Sequence, residues 1–372
     1  MAKFIIAAPS ARGLAEAAVA CGHQVIALDA FADADTQAIA AQAFKLTFNE
    51  FGGDFCLDET YFKHVFLQIN LAEIDGFLYG SLFDHAPDLL AWVAERVPLV
   101  GNAPEVMCAA KRFGFFKLLD ALKITHPEVC LSPPEAPEDW LCKKIGGTGG
   151  RHICAANQVD LHFVKPSAYF QRKMPGKPIS MLFVADGNIA QTIGFNQQLI
   201  APTDAMPFRF AGAVSNIALQ PNIYKDFEYA AQQLTRALNL RGINSLDAML
   251  DGDALWMLEL NPRVSATFEL YENLLPRHLQ GCAGSLEESL PQRKTSKAQL
   301  ILYANEAVNI PANFVWPHWA ADIPALAVGE SSISMVKNMP ICSVFAQAES
   351  AEVAQSVVQQ RVEALKEMLK ND

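Results

Sequence analysis

The chain has 372 residues, 51% of them hydrophobic, enough to bury the cores of two or three domains. Its formal net charge of −11 argues against broad binding to nucleic acid or to an anionic membrane surface. No apolar run reaches the roughly 18 residues that a membrane helix needs, and the opening Met-Ala-Lys-Phe-Ile-Ile-Ala-Ala-Pro is too soon interrupted for a signal peptide, so the cytoplasm is the expected location.

Residues 4–8 read as a buried strand, 14–21 as a helix that Gly22 ends, and 25–28 as a second strand, a parallel α/β start. The first turn carries only Gly13 and lacks G-x-G-x-x-G, so Asp29 at the end of the second strand is weak evidence for NAD. Further units follow: a strand over 74–79, a helix over 86–96, a short strand at 99–100, and a helix over 105–122 with Pro104 in its first turn. The stretch Ser132-Pro133-Pro134-Glu135-Ala136-Pro137 is a loop. From Asp139 to about Asp253 short strands and glycine turns dominate, with one helix over 226–240. Residues 287–297 read as a polar linker, and the chain closes with a strand over 299–303 and an amphipathic helix near 351–369. The eight cysteines form no C-x-x-C pair and the eight histidines no H-x-x-x-H or H-E-x-x-H pattern; reduced thiols and no zinc site are expected.

Charge is unevenly spread. Between Leu141 and Lys177 lie Lys143, Lys144, Arg151, Lys165, Arg172, Lys173 and Lys177 against the single acid Asp160, a basic region suited to a small polyanion. Within it, residues 140–143 read as a strand and Gly146-Gly147-Thr148-Gly149-Gly150 as a loop. A plain turn needs one or two glycines; four free the backbone to approach a ligand and line up N–H groups for phosphate oxygens. Lys143 on the preceding strand can neutralise phosphates. The loop lacks G-x-x-x-x-G-K-[ST] and is not a P-loop.

Residues 242–250 and 254–260 read as a hairpin around Asp251-Gly252-Asp253. With an odd loop, Asp247 and Glu259 share a face, and Asn261 joins it two residues on. Two carboxylates and an amide oxygen make a hard-oxygen site suited to Mg²⁺. Solvated acids on a half-exposed sheet are the plainer reading, but Leu246, Ala248, Leu258 and Leu260 flank these acids, and carboxylates in apolar surroundings need a partner. Arg263, just past Pro262, is placed to clamp a phosphoryl group or a substrate carboxylate.

These pieces together resemble the ATP-grasp superfamily over roughly residues 103–290. The carrying stretch is Leu258-Glu-Leu-Asn-Pro-Arg263, with Asp247 twelve residues before Glu259 and the glycine loop about 100 residues ahead. The resemblance implies an α/β, ATP-grasp fold with an N-terminal parallel α/β domain (1–104), an ATP-grasp domain (105–290; lid part about 123–172, core part about 173–290) and a small C-terminal α+β segment (291–372). It implies that Lys111 and Lys143 are nucleotide lysines and that Gly146–Gly150 closes over the phosphates. Gln171, Arg172, Lys173 and Met174 correspond to the linker that meets adenine. Asp247, Glu259 and Asn261 correspond to the Mg²⁺ ligands, and Arg263 to the arginine after them. The chain departs from the pattern where Arg172 replaces a glutamate, Lys177 a ribose-binding acid and Lys144 a common proline.

The run Asn261–Tyr271 is similar to ATP-grasp amino-acid ligases, among them the tyramine–glutamate ligase type of methanofuran-like cofactor synthesis. The activity so implied is ATP-dependent joining of a small carboxylate to an amine through an acyl-phosphate, with small-molecule acid and amine as substrates, no nucleic acid or membrane partner, and a homodimer as the default assembly. A small-molecule kinase and a non-catalytic ATP-binding protein remain the alternatives. Ser10, Arg12, Gly80 and Ser81, at strand ends, are candidates for the acceptor pocket, and Trp316-Pro317-His318-Trp319 with Asp322 reads as a packed proline–aromatic corner.

Overall fold

The computed structural model describes residues 1–51, 54–159, 167–286 and 295–371. Asp160, Lys165 and positions 287–294 of the expected linker lie outside the described residues, while Ser296 and Lys297 already belong to a strand. Among the described residues no helix is long and apolar enough to cross a membrane.

The N-terminal sheet is wholly parallel, in the order Gln42–Lys45, Gln24–Asp29, Lys3–Ala8, Gly76–Tyr79. The run Phe-Ile-Ile-Ala-Ala has apolar residues on both faces because both faces are covered. Ile5 and Ala7 pack with Phe62, Phe66 and Phe77. Phe4, Ile6 and Ala8 pack with Leu14 on one helix and with Phe268, Leu274 and Ile243 from the ATP-grasp-like region. One core therefore fixes the first sheet against the larger one. Leu99 contributes only an isolated parallel bridge to Phe77 rather than a strand.

The large sheet has eight strands: Ala254–Asn261, Arg241–Asp251, Lys177–Asp186, Ala190–Ile200, Phe210–Ser215, Ser296–Tyr303, Pro340–Ala348 and Ala320–Ala321, in that spatial order. Three of them, Lys177–Asp186, Ala190–Ile200 and Arg241–Asp251, are 10 or 11 residues long, longer than the short strands expected between Asp139 and Asp253. The helix expected over 226–240 runs over Pro221–Leu238, with Pro221 in its first turn and Asn239 closing it in the left-handed region. Strands from the C-terminal segment extend this same sheet, and helix Ala351–Asn371 packs on them through Val358 and Leu365. Trp316 and Trp319 pack against that core, with Phe314 edge-on to Trp316 at 4.9 Å between ring centres.

A smaller antiparallel sheet, Val129–Cys130, Ala168–Arg172, Trp140–Lys144, Ile153–Ala155, stands over one end of the large sheet. Leading to it, the expected helix over 105–122 is two helices, Pro104–Lys111 and Gly114–Ala121. Arg112 takes an extended conformation and breaks the helix, leaving Lys111 as a terminal residue free to turn inward.

Candidate active site

The acid pair is set by a β-bulge. Gly252-Asp253 is a two-residue loop, with Asp251 paired to Ala254, so regular pairing would set Asp247 against Leu258. The register shifts between Asp247 and Ala248, the second strand holds one residue more, and Asp247 faces Glu259. The odd loop expected from the sequence is thus corrected: the loop is even, and the bulge restores the shared face. Asn261 Nδ2 donates to Asp247 Oδ2 at 3.1 Å, bringing the third residue into the set.

Two cations occupy the other side. Lys111 Nζ donates to Glu259 Oε1 and, at 2.6 Å, to Asn261 Oδ1. Arg263 Nη2 also reaches Asn261 Oδ1, at 2.9 Å. Both cations converge on Asp84, a fully buried carboxylate after strand Gly76–Tyr79: Arg263 grips both its oxygens at 3.1 and 2.8 Å, and Lys111 lies 3.1 Å away. Burial alone would raise the Asp84 carboxyl, but the charges of Arg263 and Lys111 overcome it and hold it below the usual range. Burial, then the neighbouring charge of Glu259, lifts Asp247 to about 6. Burial also acts to raise Glu259, but the Lys111 ammonium prevails and keeps it low.

Across the gap, Lys143 points from the smaller antiparallel sheet toward these acids. It is buried, and burial lowers its ammonium to about 8 against the pull of Glu259 and Asp247. A phosphate beside it would restore full protonation. The glycine loop is held at three points. A side chain at Gly146 would meet the Asp84 carbonyl oxygen at 2.7 Å, and one at Gly150 would meet that of Phe208 at 1.8 Å. Phe210 N–H donates to Gly149 C=O at 2.9 Å. Gly146, Gly149 and Gly150 have positive φ; Gly147 does not and instead makes room for the His152 ring. Thr148 sits half-buried at the tip. A narrow hollow of about 30 Å³ lies between Lys111, Lys143, Gly146, His152 and Glu259.

A second hollow of about 380 Å³ lies beyond it, lined by Leu141, Ala155, Lys173, Asp204 and Phe208. Leu141 and Lys143 share a face of the smaller sheet, and Gln171 stands opposite Leu141 in register. The Gln171 amide nitrogen is buried with no hydrogen-bond partner among the described residues. Lys173 N–H donates to Asp139 C=O at 2.8 Å, so that one group of the linker is taken by the protein's own backbone. Arg172 is exposed, 3.8 Å from Glu128, and Met174 follows on the linker. Asp84 and His152 carry no motif signal; only the fold places them here.

Of the strand-end residues expected at the acceptor pocket, Ser10 and Arg12 are engaged by protein carboxylates. Asp322 Oδ1 accepts from Ser10 Oγ at 2.7 Å and from Arg12 Nε at 2.9 Å. Arg12 also pairs with Glu16 and Glu269, and Asp29 takes the N–H groups of Ala11, Phe31 and Ala32. Asp29 is thus committed to its own backbone, as befits a strand end with no dinucleotide motif.

Residues 108–267 match the family model described as the ATP-grasp domain. The chain carries an ATP-grasp fold. Solved structures agree in architecture at low identity. The biotin carboxylase domain of Hydrogenobacter thermophilus 2-oxoglutarate carboxylase superposes with a TM-score of 0.73 at 12% identity, over 96% of this chain and 88% of that one. Phosphoribosylamine–glycine ligase from Thermotoga maritima gives 0.68 at 14%, over 97% and 96%. N5-carboxyaminoimidazole ribonucleotide synthetase from Thermus thermophilus gives 0.67 at 15%, over 96% and 98%. Comparison with curated proteins gave no match.

Proposed function

We infer that this chain is an ATP-dependent ligase that activates a small carboxylate as an acyl-phosphate and joins it to an amine. The observation that carries the reading is the meeting, across one narrow hollow, of the Asp247–Glu259–Asn261 oxygens with Lys111, Lys143, Arg263 and the glycine loop. ATP is the proposed nucleotide, with the lid (about 123–172) over its phosphates, the core part (about 173–290) beneath, and residues 1–104 and 291–372 flanking them.

The residues fit Mg²⁺ in a particular way. Among the described residues no three His, Cys, Asp or Glu side chains converge to hold an ion. Two carboxylates and an amide oxygen do not enclose a cation, but they suit Mg²⁺, which takes one or two carboxylates and completes its shell with water and phosphate oxygens. When bound, Mg²⁺ supplies charge neutralisation on the terminal phosphates. Asp247, Glu259 and Asn261 would hold it, which requires Lys111 to release its two oxygens and turn to the phosphates. Lys143 and the glycine-loop N–H groups then stabilise negative charge as the γ-phosphoryl transfers to the substrate carboxylate, and Arg263, oriented by Asp84, meets the carboxylate or the transferring oxygens. The orphaned Gln171 donor suits the base or ribose end. An amine then displaces phosphate, with no covalent enzyme intermediate.

Supporting the ligase class, one structural neighbour is by name a phosphoribosylamine–glycine ligase, and the Hydrogenobacter domain was solved as a dimer with MgADP and bicarbonate. A homodimer in the cytoplasm is the proposed form. An amino acid is the proposed acid, and the tyramine–glutamate ligase type the proposed subclass, on the likeness of residues Asn261–Tyr271. The test is a panel of amino acids and amines assayed for ADP, phosphate and product mass, with glutamate and tyramine included. An amide with one ADP and one phosphate per turnover is expected. A stable phosphorylated product would make it a kinase, and nucleotide binding without ADP for every pair would make it a binding protein.

A further inference from the structure

The lid sheet carries a feature that phosphate transfer does not use. Cys142 and Cys154 stand directly opposite each other on neighbouring antiparallel strands, at the base of the hairpin whose tip is the glycine loop. Alternation puts them on the face away from Lys143, in a small cluster with Trp140, Ala156 and Phe170. Cys154 Sγ donates to the Cys142 carbonyl oxygen at 3.9 Å, and each thiol acts on the ionisation of the other. Cys142 is buried, at 6% exposure, whereas Cys154 is half-buried and reachable from solvent. Cys130 lies in the same row, but Phe170 intervenes between it and Cys142. Direct cross-strand neighbours meet the Cα separation of about 5.5 Å that a disulfide takes.

We propose that Cys142 and Cys154 form a reversible redox site, oxidised by a low-molecular-weight disulfide to a cross-strand bond that restrains the phosphate loop. The reaction starts at Cys154. Interaction with the Cys142 thiol lowers the Cys154 thiol to about 7 despite burial, helped by Lys144, while Cys142 is pushed upward by the same interaction and by burial. The Cys154 thiolate attacks one sulfur of the disulfide RSSR and expels RS⁻, leaving Cys154–S–SR. Cys142 then gives up its proton to solvent or to the expelled thiolate, attacks Cys154 Sγ and releases the second RS⁻. Two protein thiols are oxidised and RSSR is reduced to two RSH. The new bond ties residue 142 to residue 154, so the intervening hairpin must move as one piece. A loop that lifts to admit nucleotide then lifts more slowly, while its closed contacts to Phe210 and Asp84 are unchanged.

The experiment treats the full chain with glutathione disulfide and reads two things. Peptide mapping is expected to show the segments bearing Cys142 and Cys154 joined and two hydrogens lighter. In Cys142→Ser, a glutathione adduct is expected to persist on Cys154. A stable adduct on Cys154 of the parent chain, or oxidation of exposed Cys21 with neither lid cysteine touched, would overturn the site. Stopped-flow association of a fluorescent ATP analogue is expected to slow about threefold or more in the oxidised chain, with Kd nearly unchanged, and to recover with dithiothreitol. Cys154→Ser is expected to show no response to the oxidant. An unaltered association rate in a chain proven to carry the bond would refute the restraint. The kinetic arm rests on the nucleotide reading above and the mass does not, so the two fail separately.

Discussion

Asp84 holds Arg263 through both carboxylate oxygens and so joins the end of an N-terminal strand to the end of the acid-bearing strand 179 residues away. Lys111 shares the same carboxylate. Removing that charge leaves two buried cations facing each other. Asp84→Asn should cost about 3–5 kcal/mol, the range for breaking a buried ion pair from one side. Urea denaturation measures it, and a loss below about 1 kcal/mol would show that Arg263 does not depend on Asp84.

The glycine loop offers an internal control. Gly149 and Gly150 are both left-handed, at φ 66° and 72°, but a side chain at Gly149 meets nothing within 4 Å, whereas one at Gly150 meets the Phe208 carbonyl oxygen at 1.8 Å. Gly149→Ala should therefore carry only backbone strain, about 1 kcal/mol. Gly150→Ala must push the loop off residues 208–210 and should reduce ADP formation tenfold or more relative to Gly149→Ala. Equal activities in the two variants would mean that this contact does not set the loop.

Stability should fall as pH rises through neutrality. Burial, with Asp29, Asp322 and Asp35 nearby, raises Asp33 from 3.8 to about 8, and burial raises Glu269 to about 7 against the pull of Arg12. The folded chain keeps these protons where the unfolded chain has released them, so the contribution is full below about pH 4 and is lost as pH climbs toward 8. Asp33→Asn mimics the protonated form. It should match the parent in thermal midpoint near pH 4 and exceed it by a margin that grows as pH rises to 8.5. A difference that does not change with pH would contradict the assignment.

The residues that meet at the candidate site are legible in the sequence because their signals are local. The four glycines, the strand with Lys143, and Leu258-Glu-Leu-Asn-Pro-Arg263 lie in short stretches, and the two β-strands around Asp247 and Glu259 alternate visibly. Features decided at long range were not. The bulge behind Asp247 has no glycine to mark it, so the sequence alone points to an odd loop as the cause of the shared face. Helix propensity runs unbroken through Arg112, yet the chain leaves the helix there, where Lys111 meets Asp84, Glu259 and Asn261. Asp84 lies in Ser81-Leu-Phe-Asp84, which has no periodicity or motif. Arg12 and Ser10, strand-end candidates for the acceptor pocket, meet a carboxylate 310 and 312 residues distant.

On the proposed function, the oxygens of Asp247, Glu259 and Asn261 hold a divalent cation against the phosphates of ATP. Calorimetry of a non-hydrolysable ATP analogue, with and without Mg²⁺, tests it in the parent chain and in Glu259→Gln. Magnesium should tighten binding at least about tenfold in the parent, about 1.4 kcal/mol, and leave Glu259→Gln nearly unaffected. The same magnesium dependence in both chains would contradict the account.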